Sequence, residues 1–217
     1  MKRSGIKGII IDTLIIFAIT FVAGGVLGYV YELTKGPIET QQKHKMSAAC
    51  SDVFAEIDEN GELHDVTGLT FEKSTVDQAV LDNIIGTSDT KATIDEVYVA
   101  KKVGGSVYGY VISVTTKEGY GGDIHLYMGV TTDEIVKGIS ILEIHETPGL
   151  GMRASEVLVP QFRNVEGTEF TVTKQGAVMD SEIDAITSAT ITSKAVTRAV
   201  NFGLRYFEEV LKGGAAE

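Results

Sequence analysis

SVYGYVISVTTKEGYGGDIHLYMGVTTDEIVKGISILEI, residues 106–144, holds three runs rich in valine, isoleucine, threonine and tyrosine. Such β-branched and aromatic residues suit a pleated, half-buried surface. Ser106–Thr116 reads as one strand, Asp123–Thr132 as a second and Glu134–Ile144 as a third. Gly119-Tyr120-Gly121-Gly122 supplies a turn between the first two, and the Thr132-Asp133 connection makes the last two an antiparallel hairpin. Upstream, Asp95–Lys102 alternates weakly and adds a strand; downstream, Glu169–Lys174 adds a short one. Helices flank the strands. In Thr75–Ile85, Val76, Ala79, Val80 and Ile84 share one helical face, and in Ile191–Leu211, Ile191, Ala195, Ala199, Phe202, Phe207 and Val210 recur at helical spacing. Gly213-Gly214 is expected to stop that last helix. The class is therefore α+β, a mainly antiparallel sheet packed against helices.

The N-terminus belongs to a different environment. Gly8–Val30, GIIIDTLIIFAITFVAGGVLGYV, holds 23 residues with one charge, Asp12. As a helix it would be about 34 Å long, enough to cross the roughly 30 Å of bilayer hydrocarbon. The preceding MKRSGIK is basic, which places the N-terminus in the cytoplasm and the remainder outside. Tyr29 and Tyr31 would then sit at the outer interface. Ala23-Gly24-Gly25 could imitate a signal-peptidase site, but it lies within an apolar run longer than the usual ~7–15 residues. We read an uncleaved anchor. Asp12 either snorkels to water or faces a neighbouring membrane protein, and Gly24, Gly25 and Gly28 permit close helix packing. Residues 34–50 are expected to form a helical stalk with Pro37 near its first turn, and 51–217 an outer domain, with turns at Glu59-Asn60-Gly61 and Thr67-Gly68.

Charge and composition exclude several function classes. The chain has 217 residues and a net charge of −11, and 43% of it is apolar, as in a folded protein. Residues 1–33 contain three basic and two acidic side chains, so the remainder carries −12. A domain that acidic repels phosphate backbones, and no nucleic-acid partner is expected. The single cysteine, Cys50, allows neither an intrachain disulfide nor a Cys-rich metal site, and it reads as a small core or partly exposed side chain. The four histidines suggest no metal site; His125 and His145 read as ordinary sheet residues.

Two segments can carry chemistry. In Asp184–Ser193, DAITSATITS, five hydroxyls fall between Thr187 and Ser193 at the start of the last helix. They can serve as helix caps, or the free N–H groups and the dipole at that helix end can bind a phosphate without a basic side chain. A threonine hydroxyl there could also be esterified by phosphate. The second segment is His145–Gly151, HETPGLG. It is a tight loop rigidified by proline and glycine, and its small residues could also lie flat against a planar ligand. Lys194 and Arg198, four residues apart, form a solvated or ion-paired helix face, or reach toward an anionic ligand. No paired catalytic carboxylates and no nucleophile–base set are visible, nor is a Gly-x-Gly-x-x-Gly nucleotide loop behind a strand.

The order of these features is similar to a known family. One anchor helix, GYGGDIHL at Gly119–Leu126, ETPGLG at Glu146–Gly151 and DAITSAT at Asp184–Thr190 together resemble the FMN-binding G subunit of the Rnf electron-transport complex. The resemblance implies FMN joined through its phosphate to Thr190, the last residue of an Asp-x-x-(Ser/Thr)-Gly-Ala-Thr motif, by a separate flavin transferase that uses FAD. Asp184, Thr187 and Ala189 match the motif; Ser188 stands where glycine is usual. By the same resemblance Glu146, Thr147, Gly149, Leu150 and Gly151 lie by the flavin ring, and Ile191 and Thr192 help hold the cofactor. The expected role is an electron relay in an ion-translocating ferredoxin:NAD+ oxidoreductase, among other membrane and redox subunits. A close alternative is the C subunit of the Na+-translocating NADH:quinone reductase, whose members tend to be longer. An alternative of another class is a non-redox anchor or assembly protein that has lost flavin; the retained Asp184, Thr187, Ala189 and Thr190 argue against it.

Overall fold

The computed structural model describes residues 6–58, 63–64, 66, 68–87 and 89–212. The chain divides into two compact units, Met1–Met46 and Ser47–Glu217. Helix α1 runs Ile6–Asp52. Within it Gly8–Pro37 is long and apolar enough to cross a membrane, and Phe17, Phe21 and Leu27 are exposed. Pro37 lies in the interior of α1 and not near the start of a separate stalk helix. Proline lowers helix propensity without forbidding a helix that continues past it.

In the second unit β1 (Glu56–Ile57) pairs with β2 (Leu63–His64). Strand β3 (Thr70–Ser74) and helix α2 (Gln78–Thr87) follow. Asp77 caps α2, its Oδ1 accepting from the N–H groups of Ala79 at 3.0 Å and Val80 at 3.2 Å. The helix therefore begins three residues later than its apolar pattern suggests. Next come β4 (Ala92–Lys101), β5 (Val107–Thr116), β6 (Ile124–Thr131) and β7 (Ile135–Ile144). After the short helix α3 (Ala154–Val157), β8 (Val165–Glu166) closes a six-stranded antiparallel sheet in the order β3-β4-β5-β6-β7-β8. Strands β9 (Thr171–Thr173) and β10 (Glu182–Asp184) form a separate parallel pair. Helix α4 (Thr190–Tyr206) ends in a π turn, Phe207–Leu211. The expected stop at Gly213-Gly214 and the turn at Glu59–Gly61 lie outside the described residues, as does Thr67.

Both faces of the sheet are covered. Tyr110, Ile112 and Val114 of β5 and Leu126, Met128 and Val130 of β6 alternate onto one face and join Ala195, Ala199 and Phe202 of α4 in the core. A Cβ at Gly203 would fall 2.3 Å from Met128 Sδ, so this glycine lets α4 lie close on the sheet. On the opposite face Gly129 and Gly138 are register partners, and a Cβ on either would meet Val53 at about 3 Å. The segment that leaves α1 crosses the sheet over this glycine pair, and Arg163 Nη1 donates to Ala55 O at 2.8 Å. The start of α4 lies beside the segments that follow β5 and β7, since Tyr120, Glu146 and Thr190 line one cleft.

A cleft between two turns at the start of helix α4

Two tight turns wall a cleft of about 520 Å³. The first is Thr147–Leu150, closed by Leu150 N–H donating to Thr147 O at 3.1 Å, with Pro148 and Gly149 at its centre and Gly149 at φ +77°. Proline followed by a positive-φ glycine is the sequence of a type II turn. The second is Ile186–Ala189, closed by Ala189 N–H donating to Ile186 O at 2.9 Å, with Thr187 and Ser188 at its centre. Ser188 has φ +65°, left-handed backbone that glycine adopts freely and serine does not. The backbone at 188 thus has the shape for which glycine is suited, and serine adopts it under strain.

The floor is the first turn of α4. Ala189 stands at the N-cap, and no side chain among the described residues caps the helix. The first N–H groups of α4 thus remain available to an anion, and the hydroxyl-cap reading of Thr187–Ser193 does not describe this helix. Ser193 instead spans the turn: its buried Oγ accepts from Ile186 N–H at 2.9 Å and donates to Ala189 O at 3.0 Å. The wall is built on Glu146, which is only 9% exposed and accepts from Tyr120 N–H at 2.7 Å through Oε1. A Cβ at Gly151 would lie 2.7 Å from Thr192 Oγ1 and 2.9 Å from Glu146 Oε2. Glycine at 151 is what leaves room for both oxygens. Gly119 and Gly121 press the preceding turn onto Glu146 and His145 in the same way.

Of the residues singled out in the sequence, Glu146, Thr147, Leu150, Gly151, Ser188, Ala189, Thr190, Ile191 and Thr192 line this one cleft. Gly149 and Thr187 sit at the centres of the two turns and do not line it. Asp184 belongs to β10, its N–H donating to Gln161 Oε1 at 2.7 Å and its carbonyl accepting from Gln161 Nε2 at 3.2 Å. It anchors the chain that enters the second turn. Tyr120, read from sequence only as part of a glycine turn, lines the mouth at 70% exposure. Its signal was an aromatic ring among glycines, which have no side chain to cover.

Charge is sparse here. Among the described residues lining the cleft, Glu146 is the one carboxylate and there is no lysine or arginine. Arg198 pairs with Glu118 at 3.3 Å and Lys194 is exposed, so the solvated-face reading holds for both. His125 bonds Ser113 Oγ at 2.8 Å on the other face of the sheet. Nearby, burial raises the Glu96 carboxyl, but hydrogen bonds from Lys73 and Tyr98 and the Lys73 charge hold it below its ordinary value. Burial, with Glu96 adding to it, pushes the Cys50 thiol up to about 12, an unreactive core side chain. The described residues contain no His/Cys/Asp/Glu cluster able to hold a metal ion.

The cleft suits a flat ligand with a phosphate tail. Its volume lies within the usual 300–1,000 Å³ range, its walls include Leu150, Ile191 and Tyr120, and its floor is an uncapped helix start. The FMN-binding domain family matches residues 119–205, which contain both turns. The chain is thus an FMN-binding-domain protein with an N-terminal apolar helix. It is 32% identical over 201 residues to the G subunit of the Na+-translocating ferredoxin:NAD+ oxidoreductase complex of Acetobacterium woodii, covering 92% of this chain and 91% of that one. It is 43% identical over 104 residues to the G subunit of the proton-translocating ferredoxin:NAD+ oxidoreductase complex of Clostridium ljungdahlii, covering 48% and 55% of the two chains. To the G subunit of the ion-translocating oxidoreductase complex of Aliivibrio fischeri it is 27% identical over 96% of this chain and 90% of that one. The crystal structure of Shewanella oneidensis NqrC aligns at a TM-score of 0.44, with 21% identity over 63% of this chain and 65% of that one. The chain belongs to the family of Rnf complex G subunits.

Proposed function

We propose that this chain is an electron-relay subunit of a membrane-bound, ion-translocating ferredoxin:NAD+ oxidoreductase, with FMN held by a phosphoester to Thr190. The observation that carries the proposal is the convergence of both motif loops on one cleft whose floor is the uncapped start of α4. FMN supplies one- and two-electron redox chemistry; the protein supplies position and electrostatics. The N–H groups of the first turn and the helix dipole favour the phosphate charge beside Thr190. Leu150 and Ile191 provide apolar contact for the ring, and Thr147, Ser188 and Thr192 offer hydroxyls at the cleft wall. Glu146 holds the Gly119–Gly122 turn through Tyr120 and presents its second oxygen beside Thr192. A covalent tether prevents loss of the cofactor where it cannot be replaced.

Residues 1–33 act as a cytoplasmic N-terminus and a single membrane anchor, 34–50 as the stalk, and 51–217 as the FMN domain on the outer face. The basic start of the chain supports that orientation. The relatives named above are subunits of multi-subunit complexes, which supports membrane and redox partners for this chain; a flavin transferase would form the Thr190 bond. The test is a denaturing gel of the full chain co-expressed with a flavin transferase, imaged for flavin fluorescence beside Thr190→Ala. Fluorescence in the parent and none in the variant is the expected result. A dark parent, with the transferase active on a control acceptor, rejects the relay reading in favour of an anchor or assembly role.

A further inference from the structure

We propose that Ser193 is a positioning residue for Thr190, its buried hydroxyl locking the Ile186–Ala189 turn to the first turn of α4. This rests on the reading of Thr190 as the flavin acceptor. The turn is poorly specified by its own residues. Ser188 sits at φ +65°, and Ala189 has no side chain with which to cap the helix that follows. What holds the turn is outside it. Ser193 is fully buried, accepts from Ile186 N–H at 2.9 Å at the start of the turn, and donates to Ala189 O at 3.0 Å at its end. The backbone N–H of Ser193 bonds the same Ala189 oxygen at 3.0 Å, and Thr197 Oγ1 donates to Ser193 O at 2.9 Å. One hydroxyl therefore ties together both ends of the turn, and Thr190 is the next residue along the chain.

Alanine at 193 would leave the Ile186 N–H buried and unpaired, which releases the turn while α4 remains. Thr190 would then be presented with the wrong backbone direction. In the transfer, Thr190 Oγ1 forms a bond to the flavin-side phosphorus of FAD. The pyrophosphate P–O bond breaks, AMP leaves with that oxygen, and the hydroxyl proton passes to the transferase or to solvent. No oxidant or reductant is consumed. Such a displacement needs the attacking oxygen in line, so a small misplacement of Thr190 lowers the rate constant more than the affinity.

The test uses the purified full chain in detergent with a flavin transferase and FAD. Initial rates of covalent flavin incorporation are read by in-gel fluorescence over a range of chain concentrations. Ser193→Ala should lower the saturating rate by about tenfold or more, with a smaller change in half-saturating concentration. Ser193→Thr, which keeps the hydroxyl, should recover to within about threefold of the parent. Ile139→Val, which trims the sheet core on β7 outside the turn, should lower thermal stability and still take up flavin at the parental rate. If the alanine chain does not fold, Ser193→Cys, similar in size with a weak donor, carries the same expectation of slowing. A Ser193 variant without the hydroxyl that is loaded at the parental rate overturns the proposal. A parent that takes no flavin while a control acceptor does overturns the Thr190 reading, and this one with it.

Discussion

The two turns that wall the cleft have the same outline and opposite origins. Thr147–Leu150 places Pro148 before a positive-φ Gly149, so its shape is written locally. Ile186–Ala189 places Thr187 before a positive-φ Ser188, and its shape is imposed by the Ser193 hydroxyl and by Gln161 anchoring Asp184. The first turn would be favoured in an isolated peptide; the second exists because α4 and β10 are already in place. The chain thus puts a self-specified wall opposite one that depends on the finished fold. The dependent wall is the one that carries Thr190.

The severest way to break the comparison is at the point where both walls meet. Gly151→Ala places a methyl group under 3 Å from Thr192 Oγ1, Glu146 Cβ and Glu146 Oε2. One of the two walls must move. The expected loss is about 1–3 kcal/mol in urea unfolding, as for overpacking elsewhere, together with loss of covalent flavin. Normal loading with parental stability would show that the walls are not rigidly opposed. Next in size is Gly149→Ala. Among the described residues no atom lies within 4 Å of the added Cβ, so the cost is backbone conformation. It should be about 1–2 kcal/mol, with flavin loading reduced less than in the Gly151 variant because Gly149 does not line the cleft. Pro148→Ala is smaller still. It frees the unfolded chain without touching the native turn, and should cost about 0.4–1 kcal/mol. A loss in Pro148→Ala equal to that of Gly149→Ala would mean the first turn is not locally written.

The same contrast separates what could be read in the sequence from what could not. The four long strands were legible because they are runs rich in β-branched and aromatic residues, and α4 was legible because Ala195, Ala199 and Phe202 share a face. The first turn was legible for the local reason just given. Strands β3 and β10 were not visible: the first is mostly exposed and charged, and the second has three residues, too few for a period. Asp184 therefore read as part of the helix start when it is strand. Nor could the sequence show that Tyr120 and Glu146 would meet. They lie 26 residues apart, and close approach at Gly119, Gly121 and Gly151 brings them together. Thr190, the proposed acceptor, came from family resemblance, whereas the Ser193 hydroxyl bonded across the preceding turn needed the fold.

The smallest effect is the most discriminating. Ser188→Gly removes the strain of a left-handed serine, worth about 1–2 kcal/mol, but adds freedom to the unfolded chain, which returns roughly 0.5–1 kcal/mol. A net gain of about 0.5 kcal/mol is expected, a rise of only about 1–2 °C for a chain of this size. Ser188 is exposed, so no lost packing confuses the sign. The informative comparison is between backgrounds. If the second turn is held from outside, glycine at 188 should help more when Ser193 is alanine than when the hydroxyl is present, since the backbone has then lost both bonds of that hydroxyl. Flavin incorporation should recover in that double variant in step with stability. Equal gains in both backgrounds would mean that residues 188 and 193 act independently, and that the second turn, like the first, specifies itself.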